Sequence, residues 1–388
     1  MRKKKRNYRY FFHYMGILFF LLLLVILVVN ILLPTKGFSQ KENRVLASRP
    51  AFSPGQVLSG NYEKKYETYV NDQFFLRNMW VTLKAGADRL FGKTEENGVY
   101  LGKDGYLMES FSPLPDDRIE STIQAMSEFS ARHPDLKKYA LIAPNAVNIL
   151  SNKLPAFAPA LDQNPYLDNL KQALESADTT FIDVRDTLSD HKGEEQLYYR
   201  TDHHWTTTGA YYSYLKAADT MGLNTGEFSY EKLPASMVFQ GTLSAKSGFR
   251  SSKTDELDVF LPKGEAPSSV ISFVDEQKKT ASFYDTSQLE GRDKYAMFFG
   301  GNHSQVKIST PTETDNTLLV LKDSYANSLV PFLAPHYRNI IMVDPRYYYG
   351  DLEKLIETEG VQEVLYLYNA NTFFSDTSLE LALTPEEA

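Results

Sequence analysis

The chain has 388 residues, no cysteine and a formal net charge of −8 at pH 7. The lack of cysteine excludes disulfides, a thiolate nucleophile and cysteine-ligated zinc. Six basic residues lie among the first nine positions, so the remainder is more acidic than the total. An acidic surface disfavours nucleic acid and an anionic membrane surface as ligands.

The first 33 residues predict a membrane anchor. Positions 1–15 form a basic tail, and Gly16 to Leu33 is an uncharged run of 18 residues, close to the shortest stretch that spans a bilayer. The positive-inside rule places the tail in the cytoplasm and the rest of the chain outside. A cleaved signal peptide is the alternative, but its apolar core usually has only about 7–15 residues before a small-x-small site. No convincing site of that kind is present, so we expect an uncleaved single-pass anchor in the cell membrane.

Positions 34–95 predict a juxtamembrane helical segment. Tyr62, Tyr66, Tyr69 and Val70 recur at spacings near three and four, which is typical of one helix face. The run Phe74–Arg77 interrupts this pattern. We expect a helical stalk that packs on the main domain; a helix that docks a partner is the alternative.

An α/β domain is predicted over positions 96–388. After a short hairpin around Val99–Leu101, buried-strand patterns alternate with helical patterns, which indicates a parallel sheet with right-handed crossovers. The predicted strands are Tyr139–Ala143, Thr180–Val184, Thr317–Leu321, Asn339–Val343 and Glu363–Leu367. The predicted helices begin at Asp116, near Leu167, after Trp205, at Tyr325 and at Asp351. Positions of about 222–314 break this alternation and predict a β-rich insertion or lid.

Two stretches carry the residue types of a nucleophilic active site. The run Thr201–Trp205 places Asp202, His203 and His204 just before a predicted helix. Ser324 follows the strand Thr317–Leu321, at the carboxyl end where open α/β sheets place reacting groups. A serine, an imidazole and a carboxylate are the parts of a hydrolase or an acyltransferase.

These residues resemble the signature of a bacterial family. The run Asp202–Trp205 matches the Asp-His-His-Trp motif of the DHHW family, and Lys41–Leu46, Asn71–Arg77 and Asn97–Leu107 agree with it. That family is similar to the SGNH-hydrolase-like polysaccharide O-acetyltransferases of the alginate type, which carry Asp-x-His-Trp and a later nucleophilic serine. The resemblance covers Lys41 to the C-terminus and implies an SGNH-hydrolase-like α/β fold.

The resemblance also implies roles for the site residues. Ser324 would be the nucleophile, His204 the base and Asp202 the group that orients it. The acid and the base are two positions apart, as in the alginate-type acetyltransferases, whereas other SGNH enzymes usually separate them by three. This spacing favours the acetyltransferase branch over a generic esterase. His203 would then have a packing role beside the base.

Five residues besides the triad, His203 among them, are candidates for contacts with substrate or oxyanion. Trp205 is expected to form the floor of the pocket or to stack on a sugar, with core packing as the alternative. Asn145, Asn327 and the backbone N–H of Tyr325 are candidate oxyanion donors, because a strand-to-helix turn presents amide groups.

A metal centre is the competing chemistry. Asp202, His203 and His204 could supply ligands of the two-His-one-carboxylate kind. However, consecutive histidines rarely bind one ion together, and no other histidine or acidic pair has ligand spacing. We expect no metal and no other cofactor.

The expected function is a membrane-anchored extracytoplasmic O-acetyltransferase or acetylesterase. It would act on a cell-surface or secreted polysaccharide through an acyl-enzyme on Ser324. The resemblance implies a membrane O-acyltransferase partner that delivers the acetyl groups. The alternative is a non-catalytic glycan-binding or assembly module on an SGNH-like fold.

Overall fold

The chain folds as two units, Met1–Gly92 and Lys93–Ala388. The computed structural model describes residues 2–39, 44–249, 251, 253–264 and 268–385. Lys41, Glu42 and Asn43 of the family-like stretch therefore lie outside the described residues, as do positions 250, 252 and 265–267 of the predicted insertion.

The first unit is mainly helical. Its first helix is Arg2–Leu32, and the part Tyr10–Leu32 is long and apolar enough to cross a membrane. This helix fits the predicted single-pass anchor. The unit also contains the helices Pro54–Leu58, Asn61–Gln73 and Arg77–Leu90 and the paired strands Phe38–Ser39 and Arg44–Val45. The predicted interruption is correct, because Phe74–Leu76 separate two helices.

The second unit is built on an eight-stranded sheet, whose strands we number in chain order. They are β1 (Lys137–Ala143), β2 (Thr180–Phe181), β3 (Val270–Phe273), β4 (Lys278–Thr280), β5 (Gln305–Ser309), β6 (Thr317–Lys322), β7 (Asn339–Val343) and β8 (Glu363–Asn369). Their order across the sheet is β4-β3-β5-β7-β6-β8-β1-β2. The predicted strand Thr180–Val184 is shorter than expected, since β2 ends at Phe181.

The sheet is parallel on one side and antiparallel on the other. Strands β7, β6, β8, β1 and β2 pair in parallel, whereas β5, β3 and β4 extend the sheet through antiparallel pairs. The predicted α/β fold class is confirmed. The predicted insertion of about 222–314 is β-rich, but it is not only a lid, because β3, β4 and β5 belong to the main sheet.

Helices cover both faces of the sheet. Along β6, Leu318 and Val320 belong to one buried core and Leu319 and Leu321 to the other, as the two-residue period of a strand requires. The α-helices are Asp116–Arg132, Ala146–Ile149, Asn164–Ser176, Arg185–His191, Thr207–Met221, Thr242–Ser247, Ala326–Leu333, Leu352–Glu359, Ala370–Ser375 and Ser378–Leu383.

Short elements complete the second unit. The strands Glu95–Glu96, Val99–Leu101 and Leu107–Glu109 form a small antiparallel sheet, and Tyr230–Phe239 pairs with Asp255–Pro262. The 3₁₀ helices are Lys103–Gly105, Ser151–Lys153, Thr286–Glu290, Lys294–Met297 and Ala334–His336.

Candidate functional site

The turn after β6 presents Ser324 at the carboxyl edge of the parallel strands. Strand β6 lies between β7 and β8, and the helix Ala326–Leu333 begins two residues after the serine. Asp323 fixes this turn, because its carboxylate accepts hydrogen bonds from the amides of Tyr325 (2.9 Å) and Asn369 (2.9 Å). Ser324 is half-buried, so a substrate can reach its hydroxyl.

A loop closed by its own hydrogen bonds carries the histidines to the same edge. Tyr198 and Trp205 form an antiparallel bridge, and the Thr206 amide donates to the Leu197 carbonyl (2.8 Å). Thr206 also caps the helix Thr207–Met221, since its side chain accepts from the Gly209 amide (3.2 Å). The capping residues therefore hold the loop in position at the start of the helix.

Asp202, His204 and Ser324 form a connected triad. His204 Nδ1 lies 2.5 Å from Asp202 Oδ1, and His204 Nε2 lies 2.8 Å from Ser324 Oγ. Asp202 and His204 are buried. The distances are within hydrogen-bond reach, as nucleophilic catalysis requires of a nucleophile, its base and the group that orients the base.

The electrostatics favour a neutral base and an ionised acid. Burial, and next the neighbouring His203, lower the pKa of His204 to about 4. Burial alone would raise the pKa of Asp202, but His203, His204 and the Thr242 amide together lower it. With Asp202 ionised, Nδ1 of His204 carries the proton and donates to the carboxylate. Nε2 is then free to accept the Ser324 proton.

Gly241 and Thr242 lie against the carboxylate of Asp202, which they follow in the chain by 39 and 40 positions. Oδ2 of Asp202 accepts from the Thr242 amide (3.0 Å) and from the Thr242 hydroxyl (3.3 Å). A Cβ placed on Gly241 would overlap the Asp202 side chain. Sequence analysis missed both residues, because no local pattern connects them to the histidine loop.

Tyr295 is a further residue that sequence analysis missed. Its ring stacks on His204 with 3.7 Å between centroids and 10° between planes. Its hydroxyl donates to the Ser324 carbonyl (3.1 Å) and lies 3.0 Å from Ser328 Oγ. Tyr295, which lies in the predicted insertion, therefore connects the imidazole of His204 to the turn that carries Ser324.

Trp205 joins the two stretches from inside the core. Its indole N–H donates to the Tyr325 carbonyl (3.2 Å) and to Ser328 Oγ (2.9 Å), and the side chain is fully buried. The interpretation of Trp205 as a sugar-stacking surface is therefore wrong for this structure, and the alternative of core packing holds.

The three predicted oxyanion donors already donate hydrogen bonds to other groups of the protein. Asn145 Nδ2 donates to the Tyr325 hydroxyl (3.2 Å) and to Asn369 Oδ1 (3.0 Å). Asn327 Nδ2 donates to the Gly301 carbonyl (3.3 Å), and the Tyr325 amide donates to Asp323. These groups stabilise the turn through their hydrogen bonds, so they are not free to donate to an oxyanion at Ser324.

The amide of Ser324 itself is the better oxyanion candidate. Within the described ranges it makes no hydrogen bond. An N–H at the start of a strand-to-helix turn can donate to negative charge that develops on a substrate oxygen.

His203 lies at the open side of the triad. Its Nδ1 is 3.2 Å from Thr242 Oγ1, and its side chain is 31% exposed, so the expected packing role is only partial. Ligand atoms of Asp202, His203 and His204 lie within 4.8 Å of one another, but both ring nitrogens of His204 already have partners. The expectation that no metal takes part stays a prediction.

A family model supports the motif. The model of the DHHW protein family matches residues 97–343, well over half of the chain. The chain belongs to the DHHW family. The matched region contains the histidine loop, the insertion and the nucleophile turn, so the predicted resemblance is confirmed.

Two curated relatives match part of this DHHW protein. It is 28% identical over 178 residues to a probable alginate O-acetylase AlgJ of Pseudomonas fluorescens, covering 44% of this chain and 45% of the relative. It is 26% identical over 191 residues to the corresponding Pseudomonas aeruginosa protein, covering 46% of each. The chain thus spans less than half the length of these relatives.

Solved structures share the fold of the DHHW protein. A DHHW family protein from Eubacterium siraeum has a TM-score of 0.63 and 20% identity, covering 76% of this chain and 98% of that one. Bacillus cereus PatB1 with a sulfonyl adduct has a TM-score of 0.57 and 20% identity, covering 72% and 96%. At these identities the likeness concerns the fold.

Proposed function

We propose that this DHHW protein is a membrane-anchored O-acetyltransferase, or an acetylesterase, with Ser324 as its nucleophile. One observation carries the proposal: neutral His204 bridges buried Asp202 and accessible Ser324 within hydrogen-bond distance on both sides. A binding module has no need of an ionised carboxylate, an imidazole and a hydroxyl in series.

The chemistry has two halves. In the first, His204 Nε2 takes the Ser324 proton, Oγ bonds to the acyl carbon, and the leaving group departs with the proton from His204. In the second, His204 takes the proton of a sugar hydroxyl as its oxygen attacks the ester carbon, and then gives that proton to Ser324 Oγ as the bond from Oγ to the acyl carbon breaks. If water attacks instead of the sugar, the same residues catalyse hydrolysis.

The substrate and partners follow from the relatives and remain part of the proposal. Because the partial relatives are probable alginate O-acetylases, the acceptor would be a polysaccharide. A membrane O-acyltransferase would supply the acetyl groups. By the positive-inside rule, the basic tail before the span would leave the second unit outside the cytoplasm.

Covalent labelling tests the proposal directly. The full chain is treated with an aromatic sulfonyl fluoride in the presence of a chelator, and the adduct is located by mass spectrometry. We expect one adduct on Ser324, because only an activated serine reacts quickly with such a reagent. The chelator should not prevent labelling, since the triad contains every group that the step needs.

Two variants make the labelling decisive. His204→Gln should abolish the adduct, because the hydroxyl loses its base. Ser176→Ala is the matched control, since Ser176 is exposed, its hydroxyl bonds to the Gln172 carbonyl within its own helix, and its loss should not affect the label. An unlabelled wild-type protein, or labelling that survives His204→Gln, would favour the non-catalytic glycan-binding module.

A further inference from the structure

The helix Arg77–Leu90 carries an apolar face that no described residue of its unit covers. Met79, Trp80, Leu83 and Leu90 are 42%, 45%, 56% and 89% exposed. At about 100° per residue, these side chains lie within an arc of roughly 100° on one side of the helix. The charged residues of the helix lie outside that arc. A large unpaired apolar stripe of this kind normally meets a partner.

Hydrogen bonds fix the start of this helix at the end of the span. The Phe75 amide donates to Asn30 Oδ1 (2.8 Å), and Asn30 Nδ2 donates to the Ile26 carbonyl (2.8 Å). Asn30 lies within the candidate span Tyr10–Leu32. The elbow formed by Phe74, Phe75 and Leu76 therefore lies where the span leaves the membrane.

A second set of hydrogen bonds also holds the elbow beside the end of the span. Gln73 Nε2 donates to the Lys36 carbonyl (2.9 Å), and the Lys36 amide donates to Gln73 Oε1 (3.0 Å). The Trp80 indole N–H donates to the Phe75 carbonyl (3.1 Å). The elbow and the residue before it are thus tied to residues on both sides of the end of the span, and Trp80 ties the first turn of the helix to the elbow.

We infer that the helix Arg77–Leu90 lies in the surface of the lipid bilayer, on the side where the span ends. Its apolar face would enter the boundary between headgroups and acyl chains, as amphipathic interfacial helices do. Exposed Phe74 and Leu76 would extend this surface towards the span. Tryptophan is enriched at this depth in membrane proteins, which suits Trp80.

The arrangement favours lipid over a protein partner. A protein could cover the stripe, but the bond between Phe75 and Asn30 already holds the elbow at bilayer depth. The inference also gives Asn30 a role, since it is a polar residue in the run Gly16–Leu33. It supplies an acceptor for an amide that lies too close to hydrocarbon to rely on water.

The two tryptophans of the chain make the inference measurable. The purified full chain is placed in phosphatidylcholine vesicles whose acyl chains carry bromine, a contact quencher of tryptophan, at a shallow or a deep position. We expect Trp80 emission to be lost, and more completely with shallow bromine. Trp80→Phe leaves Trp205, which is fully buried, so this variant should show little quenching.

Matched variants distinguish the apolar face from the rest of the helix. Leu83→Gln combined with Leu90→Gln should reduce quenching and shift Trp80 emission to longer wavelength, because the face no longer enters lipid. Asn78→Gln, on the opposite side, should leave both unchanged. Equal emission of the wild-type chain in brominated and unbrominated vesicles would overturn the inference and leave the face to a protein partner or to water.

Discussion

The two adjacent histidines show how position decides the chemistry of a residue. His204 is buried between Asp202 and Ser324, and both of its ring nitrogens have partners. His203 faces the opening and contacts Thr242. The same side chain is therefore a candidate base at one position and a half-buried neighbour of that base at the next.

Substitution of the triad should separate these roles. Ser324→Ala should reduce the hydrolysis of a chromogenic acetyl ester to background, and His204→Ala should cost nearly as much, on the order of 10⁴-fold or more, because triad members act as a unit. His203→Ala should cost far less. Thermal melting of each variant checks folding. Retained turnover in Ser324→Ala with complete loss in His203→Ala would contradict the assignment.

The pH dependence should reveal the environment of the base. His204 must be neutral to accept the serine proton, and its pKa is lowered from 6.5 to about 4 by burial and by His203. Activity should therefore stay level as the pH falls through 6.5 and decline only as it approaches about 4. Rates of ester hydrolysis from pH 3.5 to 8, with circular dichroism at each pH, measure this. A decline centred near pH 6.5 would contradict the lowered pKa.

At the scale of elements, the site depends on segments that pack closely behind the acid. The turn Gly241–Thr242 precedes the helix Thr242–Ser247 and lies against Asp202. Gly241 has an ordinary φ of −86°, so close approach and not backbone freedom requires glycine there.

Gly241→Ala should therefore impair catalysis without touching substrate. The added methyl group would displace Asp202, and a shift of about 1 Å in a catalytic group can cost on the order of 100-fold in rate. Gly193→Ala is the matched control, because a Cβ there meets nothing within 4 Å. Ester hydrolysis by both variants measures the difference. Wild-type activity in Gly241→Ala would show that Asp202 does not need this contact.

Some features of the fold and of the site could be predicted from the sequence, and others could not. The pattern of Asn339–Val343 predicted its strand to the residue, because a buried parallel strand is a local apolar run. The residues of the triad were also predictable, since a motif and a strand end mark them. Tyr295 and Thr242 were not, because their roles come from tertiary packing. The complete burial of Trp205 was not predictable for the same reason.

At the scale of the whole molecule, the proposed anchor would determine on which side of the membrane the site lies. The helix Arg2–Leu32 begins with a basic tail, which the positive-inside rule predicts to stay in the cytoplasm. The antiparallel side of the sheet was not predicted, because β3, β4 and β5 come from the stretch that breaks the alternation of strands with helices, and local patterns do not reveal which strands they pair with.

Protease accessibility should report the orientation. In cells stripped of their wall, added protease should degrade the second unit, whereas a cytoplasmic marker protein should stay intact. Blots against a tag at each end of the chain measure this. Full protection of the second unit would reverse the topology and would also exclude an extracytoplasmic polysaccharide as its substrate.

The place of β8 in the sheet has a consequence for biogenesis. It is the last strand in chain order, yet it lies between β6 and β1, so the nucleophile strand has no link to the N-terminal half of the sheet until β8 arrives. His204 and Ser324 are 120 positions apart, and such distant contacts form late and slowly. Under the proposed topology, a chain still emerging from the translocation machinery would therefore lack the triad until most of the polypeptide had crossed the membrane.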